Sequence, residues 1–191
     1  MTLYRAFLPD LADRPDLGRV ADLAVIVTGS LLMTVAAKFT IPFYPVPLSM
    51  QTFAAIGLGV AFGPVRGALA VLLYLVQGAA GFPVFAGSPE RGIGLAYMAG
   101  PTGGFLVGFV VQAVVAGLLA GRRWGRSPLT ALVAALIAAA SIYPAGLLWL
   151  GTVIGFDKPV LELGLYPFIL GDLVKSVLAT LVFSLLWRFA R

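Results

Sequence analysis

The chain is 191 residues long, 60% hydrophobic and only 11% charged, with a mean hydropathy of +1.01 over its whole length. Soluble domains carry about 25% charged residues, so a soluble globular protein, or one with a single anchor, is excluded. Cysteine and histidine are absent, which removes disulfides, thiolate nucleophiles and the usual zinc and haem ligands.

Residues 1–20 mix Arg5, Asp10, Asp13, Arg14, Asp16 and Arg19 with Pro9 and Pro15 and have no apolar core. They read as a short cytoplasmic lead-in and not as a cleavable signal peptide. Residues 21–191 form one all-α polytopic membrane domain of six apolar segments. The first runs from about Asp22 to Ile41 and stops at Pro42. The second, Gln51 to Gly63, and the third, Arg66 to Gly78, are short for a span of about 20 residues. Tilt, packing inside the bundle or turns borrowed from the loops are expected to accommodate them. The fourth covers Thr102 to Gly121, the fifth Pro128 to Gly151 and the sixth Pro167 to Trp187.

The connections alternate in character. Ile41–Met50, Ala79–Pro101 and Thr152–Tyr166 are long and rich in Pro, Gly and aromatic residues, whereas Pro64–Val65 and Arg122–Ser127 are brief. Long irregular loops gathered on one face suit a binding mouth, because non-helical backbone needs water or protein partners. With the N-terminus inside, Arg5, Arg14, Arg19, Arg66, Arg122, Arg123, Arg126, Arg188 and Arg191 are cytoplasmic, against Lys38, Arg91 and Lys158 outside. That asymmetry turns the long loops outward and leaves both termini in the cytoplasm. The net charge of +5 sits at segment ends rather than in one basic stripe, so its partner is anionic lipid and not nucleic acid.

The sixth segment carries the main chemical signal, Pro167-Phe-Ile-Leu-Gly-Asp172-Leu-Val-Lys175-Ser176. Pro167 suits a first helical turn, and Asp172 and Lys175, three apart, share a helix face. By helical rise they lie about 7–8 Å and about 12 Å past Pro167, below the outer rim. Charges at that depth are expensive and normally face a bundle interior or a water-filled cavity. A structural ion pair is the plain reading; a clamp for a ligand with both amide-type donors and an acceptor is the functional one.

Around it stand residues with two readings each. Arg91 either meets a ligand carboxylate or pairs with Glu90. Gln51 and Thr52 either bind ligand or cap the second segment. Phe43, Tyr44, Phe85 and Tyr97 either wall an apolar pocket or form an interfacial aromatic belt. The glycine-dense stretch Ala79–Gly104 lacks G-x-x-x-x-G-K-[ST], and no lysine follows Gly100-Pro-Thr-Gly-Gly104, so it is no phosphate loop and the chain has no nucleotide motor. Small residues such as Ala24, Thr28, Ala113, Gly117, Ala134 and Ala138 permit close helix approach, within the bundle or against another membrane subunit. Catalytic residues, a metal site and a cofactor are not expected.

Four ordered motifs resemble the BioY family of biotin-specific substrate-binding (S) components of energy-coupling-factor transporters. They are Ile41-Pro-Phe-Tyr-Pro-Val-Pro-Leu-Ser-Met-Gln51-Thr-Phe53, Gly81-Phe-Pro-Val-Phe-Ala-Gly87, Gly100-Pro-Thr-Gly-Gly104-Phe and Pro167-Phe-Ile-x-Gly-Asp172-x-x-Lys175. The resemblance covers nearly the whole chain from Ala21. It implies a six-helix S-component fold, biotin bound near the outer surface by Asp172 and Lys175, and a covering loop that bears Phe85–Gly87. It also implies a transmembrane T component and two cytoplasmic ATPases as partners. Docking in that superfamily is linked to A-x-x-x-A in the first helix; here the nearest spacings are Ala24/Thr28 and Ser30/Thr34, with no literal match. Two other readings are an S component for another vitamin and an intramembrane enzyme using Asp172 and Lys175 as acid and base, the latter without a nucleophile–base pair or metal cluster.

Overall fold

A computed structural model of the chain describes residues 15–123 and 127–189, with side chains described over 18–120 and 127–185. The cytoplasmic charges expected at Arg5, Arg14, Arg126 and Arg191 lie outside the described residues, as do the side chains of Arg122, Arg123 and Arg188. The first helix, α1 (Pro15–Lys38), begins before the expected Asp22 and so absorbs part of the polar lead-in. Pro15, with no N–H to leave unpaired, suits that first position.

A two-residue ribbon follows, β1 (Thr40–Ile41) antiparallel to β2 (Leu48–Ser49), with Thr40 opposite Ser49 and Ile41 opposite Leu48. It closes the Pro-rich loop and delivers the chain into α2 (Gln51–Ala79). The helical stretch of α2 is broken at Gly63, whose φ of 85° and ψ of 174° no helix contains, and Pro64 follows at once. The two arms, 51–62 and 64–79, fold back on one another: a Cβ on Gly67 would lie 3.0 Å from Gly59 Cα, and Gln51 Nε2 donates to Tyr74 Oη at 2.7 Å. In a straight helix those pairs would be about 12 Å and about 35 Å apart. The second and third apolar segments are therefore a glycine-seamed hairpin, as their separate reading in the sequence required.

The short helix α3 (Gly94–Ala99) lies in the second long loop and precedes α4 (Gly103–Arg123). α4 packs along both arms of α2 through glycine: a Cβ on Gly59 would meet Ala113 O at 2.2 Å, and one on Gly117 would meet Pro64 N at 2.4 Å. The fifth segment, expected as one helix, is two: α5 (Pro128–Ala140) and α6 (Tyr143–Ile154). Pro144 supplies the reason, since it has no N–H to bond the Ala140 carbonyl and its ring crowds that carbonyl, which ends α5 there and leaves the proline in the first turn of α6. The third loop holds α7 (Val160–Gly164), and α8 (Tyr166–Phe189) completes the chain.

Among the described residues, five stretches are long and apolar enough to cross a membrane, with the α2 hairpin counted as one. Splitting that hairpin gives the six apolar helical segments of an all-α, multi-pass membrane protein. Large side chains left exposed, such as Leu31, Val35, Leu118, Leu170 and Leu181, face hydrocarbon and need no other cover. The long loops gather at one end. Lys38 Nζ donates there to the carbonyls of Pro83 at 2.6 Å and Ser88 at 3.1 Å, and Trp149 Nε1 donates to Gly100 O at 2.9 Å. At the opposite end Arg66 clasps Asp22 through two bonds of 2.6 and 2.9 Å beside the short Gly63–Pro64 turn.

Candidate functional site

Among the described residues only Asp172 and Lys175 are charged side chains buried inside the bundle, at 7% and 8% exposure. They lie on α8 one turn apart, and Lys175 Nζ donates to Asp172 Oδ1 at 3.0 Å. The carboxylate's other oxygen, Oδ2, accepts from the Tyr143 hydroxyl at the start of α6. Each charge is thus neutralised inside the membrane domain, and the ammonium keeps unused N–H donors.

Above this pair rises a wall of rings. Phe168, one turn before Asp172, stacks on Phe105 of α4 with centroids 6.2 Å apart, and Phe105 meets Tyr143 edge-on at 6.5 Å. Phe43 of the first long loop caps Phe168 edge-on at 6.3 Å. The cleft so formed is completed by Phe109, Gln51, Thr52 and Thr102, and is roofed by Val46 and Pro47 of one loop and Ala86 of the next. An apolar body with a few convergent polar groups is what a small-molecule site needs. Its free space is about 30 Å³, far below the several hundred Å³ of a typical ligand pocket, so a vitamin-sized ligand needs the roofing loops to move. A roomier groove of about 440 Å³ runs outside the bundle between α1, the first arm of α2 and Phe183. It is lined by apolar side chains throughout and has no group to orient a polar ligand.

The residues singled out in the sequence fall into three sets. Asp172, Lys175 and Gln51 line the cleft. Gln51 is held from two sides, donating to Tyr74 Oη and accepting at Oε1 from Ser49 Oγ at 3.1 Å. Phe43 reaches the cleft through Phe168. The remaining four build the loop above it. Phe85 is fully buried beneath that loop, stacked on Tyr97 at 4.8 Å and edge-on to Tyr74 at 5.4 Å. It occupies space that only a glycine at 78 leaves open, since a Cβ there would lie 1.9 Å from the ring. Tyr97, whose hydroxyl burial pushes up in pKa, donates to Ala86 O at 2.7 Å and fixes the one loop residue that faces the cleft. Gly87 turns the chain with a φ of 73° and leaves room for the Arg91 stem. Arg91 is exposed at the rim and donates to Phe43 O at 3.0 Å, tying the two long loops together. No Arg91–Glu90 ion pair forms among the described residues.

Tyr143, Phe105, Phe109, Phe168 and Thr102 escaped the sequence reading. Phe168 was within reach, because it precedes Asp172 by four and shares its helix face. Tyr143 carried a weaker signal, a phenol just before the proline that divides an alanine-rich segment.

A solved crystal structure of the S component for biotin from an energy-coupling-factor-type ABC transporter is similar to this fold, with a TM-score of 0.74, 21% identity, and 92% of this chain and 95% of that one covered. That likeness defines the fold as an S-component fold. The family described as the BioY family matches residues 10–191, and the chain belongs to it. The chain is 36% identical over 164 residues to a protein of Pyrococcus horikoshii named probable biotin transporter BioY, covering 86% of this chain and 94% of that one. It is 39% identical over 166 residues to a protein of Rhizobium etli named biotin transporter BioY, covering 83% and 85%. Membership in a family of transport proteins sets aside the enzyme reading of Asp172 and Lys175.

Proposed function

We propose that this protein binds biotin in the cleft above Asp172 and Lys175 and serves its uptake as the S component of an energy-coupling-factor transporter. The observation that carries the reading is the buried Asp172–Lys175–Tyr143 cluster at the foot of an aromatic-walled cleft. Biotin has an apolar bicycle and tail for the rings, a ureido head with donors and an acceptor for the cluster, and a terminal carboxylate. The names of the related transporters support the same ligand. Arg91 at the rim, with donors left after bonding Phe43 O, meets that carboxylate. Gln51 adds a polar contact on the cleft wall, and Phe85, Gly87 and Tyr97 act through the loop they hold over it.

In this reading the loop end faces out of the cytoplasmic membrane, both termini lie inside, and surrounding lipid covers the exposed apolar faces. A transmembrane T component and two cytoplasmic ATPases supply the motor that the sequence lacks.

Calorimetric titration of the detergent-purified protein with biotin tests the ligand. Tight one-to-one binding that unlabelled riboflavin or thiamine does not displace is the expected result. A monodisperse sample that ignores biotin, or binds another vitamin more tightly, overturns it.

A further inference from the structure

By helical register, two buried polar side chains lie level with the foot of the cleft and have no hydrogen-bond partner among the described residues. Phe105 and Phe109 of α4 line the cleft, and Gln112 follows three residues after Phe109 on the same stripe of that helix. Phe105 stacks on Phe168 of α8, and both helices start at the loop end. Seven residues beyond each ring stand Gln112 and Lys175, so the two share one level about 10 Å below the stacked rings. Gln112 is fully buried, and neither its Nε2 nor its Oε1 has a hydrogen-bond partner among the described residues. One turn before Gln112, Gly108 abuts Ile142 just past the end of α5, where Ala138 and Ala139 carry no polar side-chain atom. Ser176, next to Lys175, has an equally buried and unpaired hydroxyl.

Leaving a carboxamide unpaired forfeits the hydration of both its polar atoms, and the hydrocarbon around this bundle offers no substitute. Such a group is retained at the foot of a cleft when something polar comes to meet it. We propose that Gln112 is a specificity-determining residue that pairs edge to edge with the ureido group of the bound ligand. Its Oε1 accepts one ureido N–H while its Nε2 donates to the ureido carbonyl oxygen. Asp172 then accepts the second N–H, and an unused Lys175 donor completes the carbonyl oxygen. The proposal rests on the biotin reading above and sets the ligand's orientation, head down and tail toward Arg91. The reverse pose is disfavoured, because a carboxylate at the foot presents no N–H to Oε1 and places a second anion beside Asp172.

The test is a cycle of protein and ligand changes, read by titration in detergent. Gln112→Leu removes both orphaned atoms at similar size and does not threaten folding. Biotin and its two derivatives methylated at either ureido nitrogen are titrated into wild-type and variant protein. The expected result is about tenfold to hundredfold weaker biotin binding by Gln112→Leu, with a much smaller loss for the derivative whose methyl already blocks the paired edge. Wild-type affinity for biotin in the variant overturns the proposal. So does an equal loss for all three ligands, which is the mark of a merely structural role. Failure of the wild-type protein to bind biotin overturns the ligand assignment itself, and the Gln112 pairing with it.

Discussion

At the scale of single residues, function and stability are coupled at Asp172. Its carboxylate balances Lys175 and holds the Tyr143 hydroxyl, so removing the charge strands a cation inside the membrane domain. Asp172→Asn is expected to abolish measurable biotin binding and also to lower the thermal midpoint in detergent. The double change Asp172→Leu with Lys175→Leu separates the two effects: stability returns to or above that of wild type while binding stays lost. Thermal unfolding and titration of the same preparations read both. Tyr143→Phe removes one donor to the carboxylate and leaves the ring in place, so about a tenfold weaker affinity with little change in unfolding is expected. Asp172 and Lys175 were legible in the sequence because charge inside an apolar segment is costly enough to stand out. Phe85 was not placeable from sequence for the opposite reason, since an aromatic in a loop gives no hint whether its ring faces a cleft or is buried under the loop, where the structure puts it.

At the scale of elements, two glycines do work that no side chain can do. Gly59 sits where the first arm of α2 touches the backbone of α4, with a Cβ position 2.2 Å from Ala113 O. Gly59→Val forces the arms and α4 apart, and a loss of about 1–3 kcal/mol or more is expected, checked by unfolding in detergent or by loss of monodisperse protein. Gly78→Ala acts elsewhere, displacing the Phe85 ring and with it the loop that carries Ala86. It is expected to weaken biotin binding by about tenfold or more, while the helices keep their thermal stability. The segments themselves were readable from hydropathy and from Gly63-Pro64. The break at Ser141–Ile142 was not anticipated, although Pro144 announced it, because the apolar run continues unbroken across it. The β1–β2 ribbon was hidden too, as two-residue strands have no period to detect.

For the whole molecule, sidedness is the property the sequence states most clearly, through arginines clustered at the turns and the termini. It can be measured cleanly because the chain has no native cysteine. Glu90→Cys, in the second long loop, is expected to react with a membrane-impermeant maleimide applied to intact cells. Ser127→Cys, before α5, is expected to react only after permeabilisation; the reverse pattern overturns the orientation. The proposed pairing with a motor rests in the sequence only on a lack, the missing phosphate loop, and the cleft's roof was legible only as a Pro- and Gly-rich loop.

The roof has a consequence in time. Lys38 holds the second loop by its carbonyls, Arg91 binds that loop to the first, and the space between roof and cluster is small for a ligand, about 30 Å³. If the proposed ligand is right, biotin meets this roof before the cleft, and the observed association rate is expected to rise with biotin concentration only until loop opening limits it, then level off. Stopped-flow fluorescence of the native tryptophans, or of a dye placed on the loop, would report that plateau. Lys38→Met, which removes the ammonium that holds the second loop without touching the cleft, is expected to raise it and to shorten the residence of bound biotin in the same preparation.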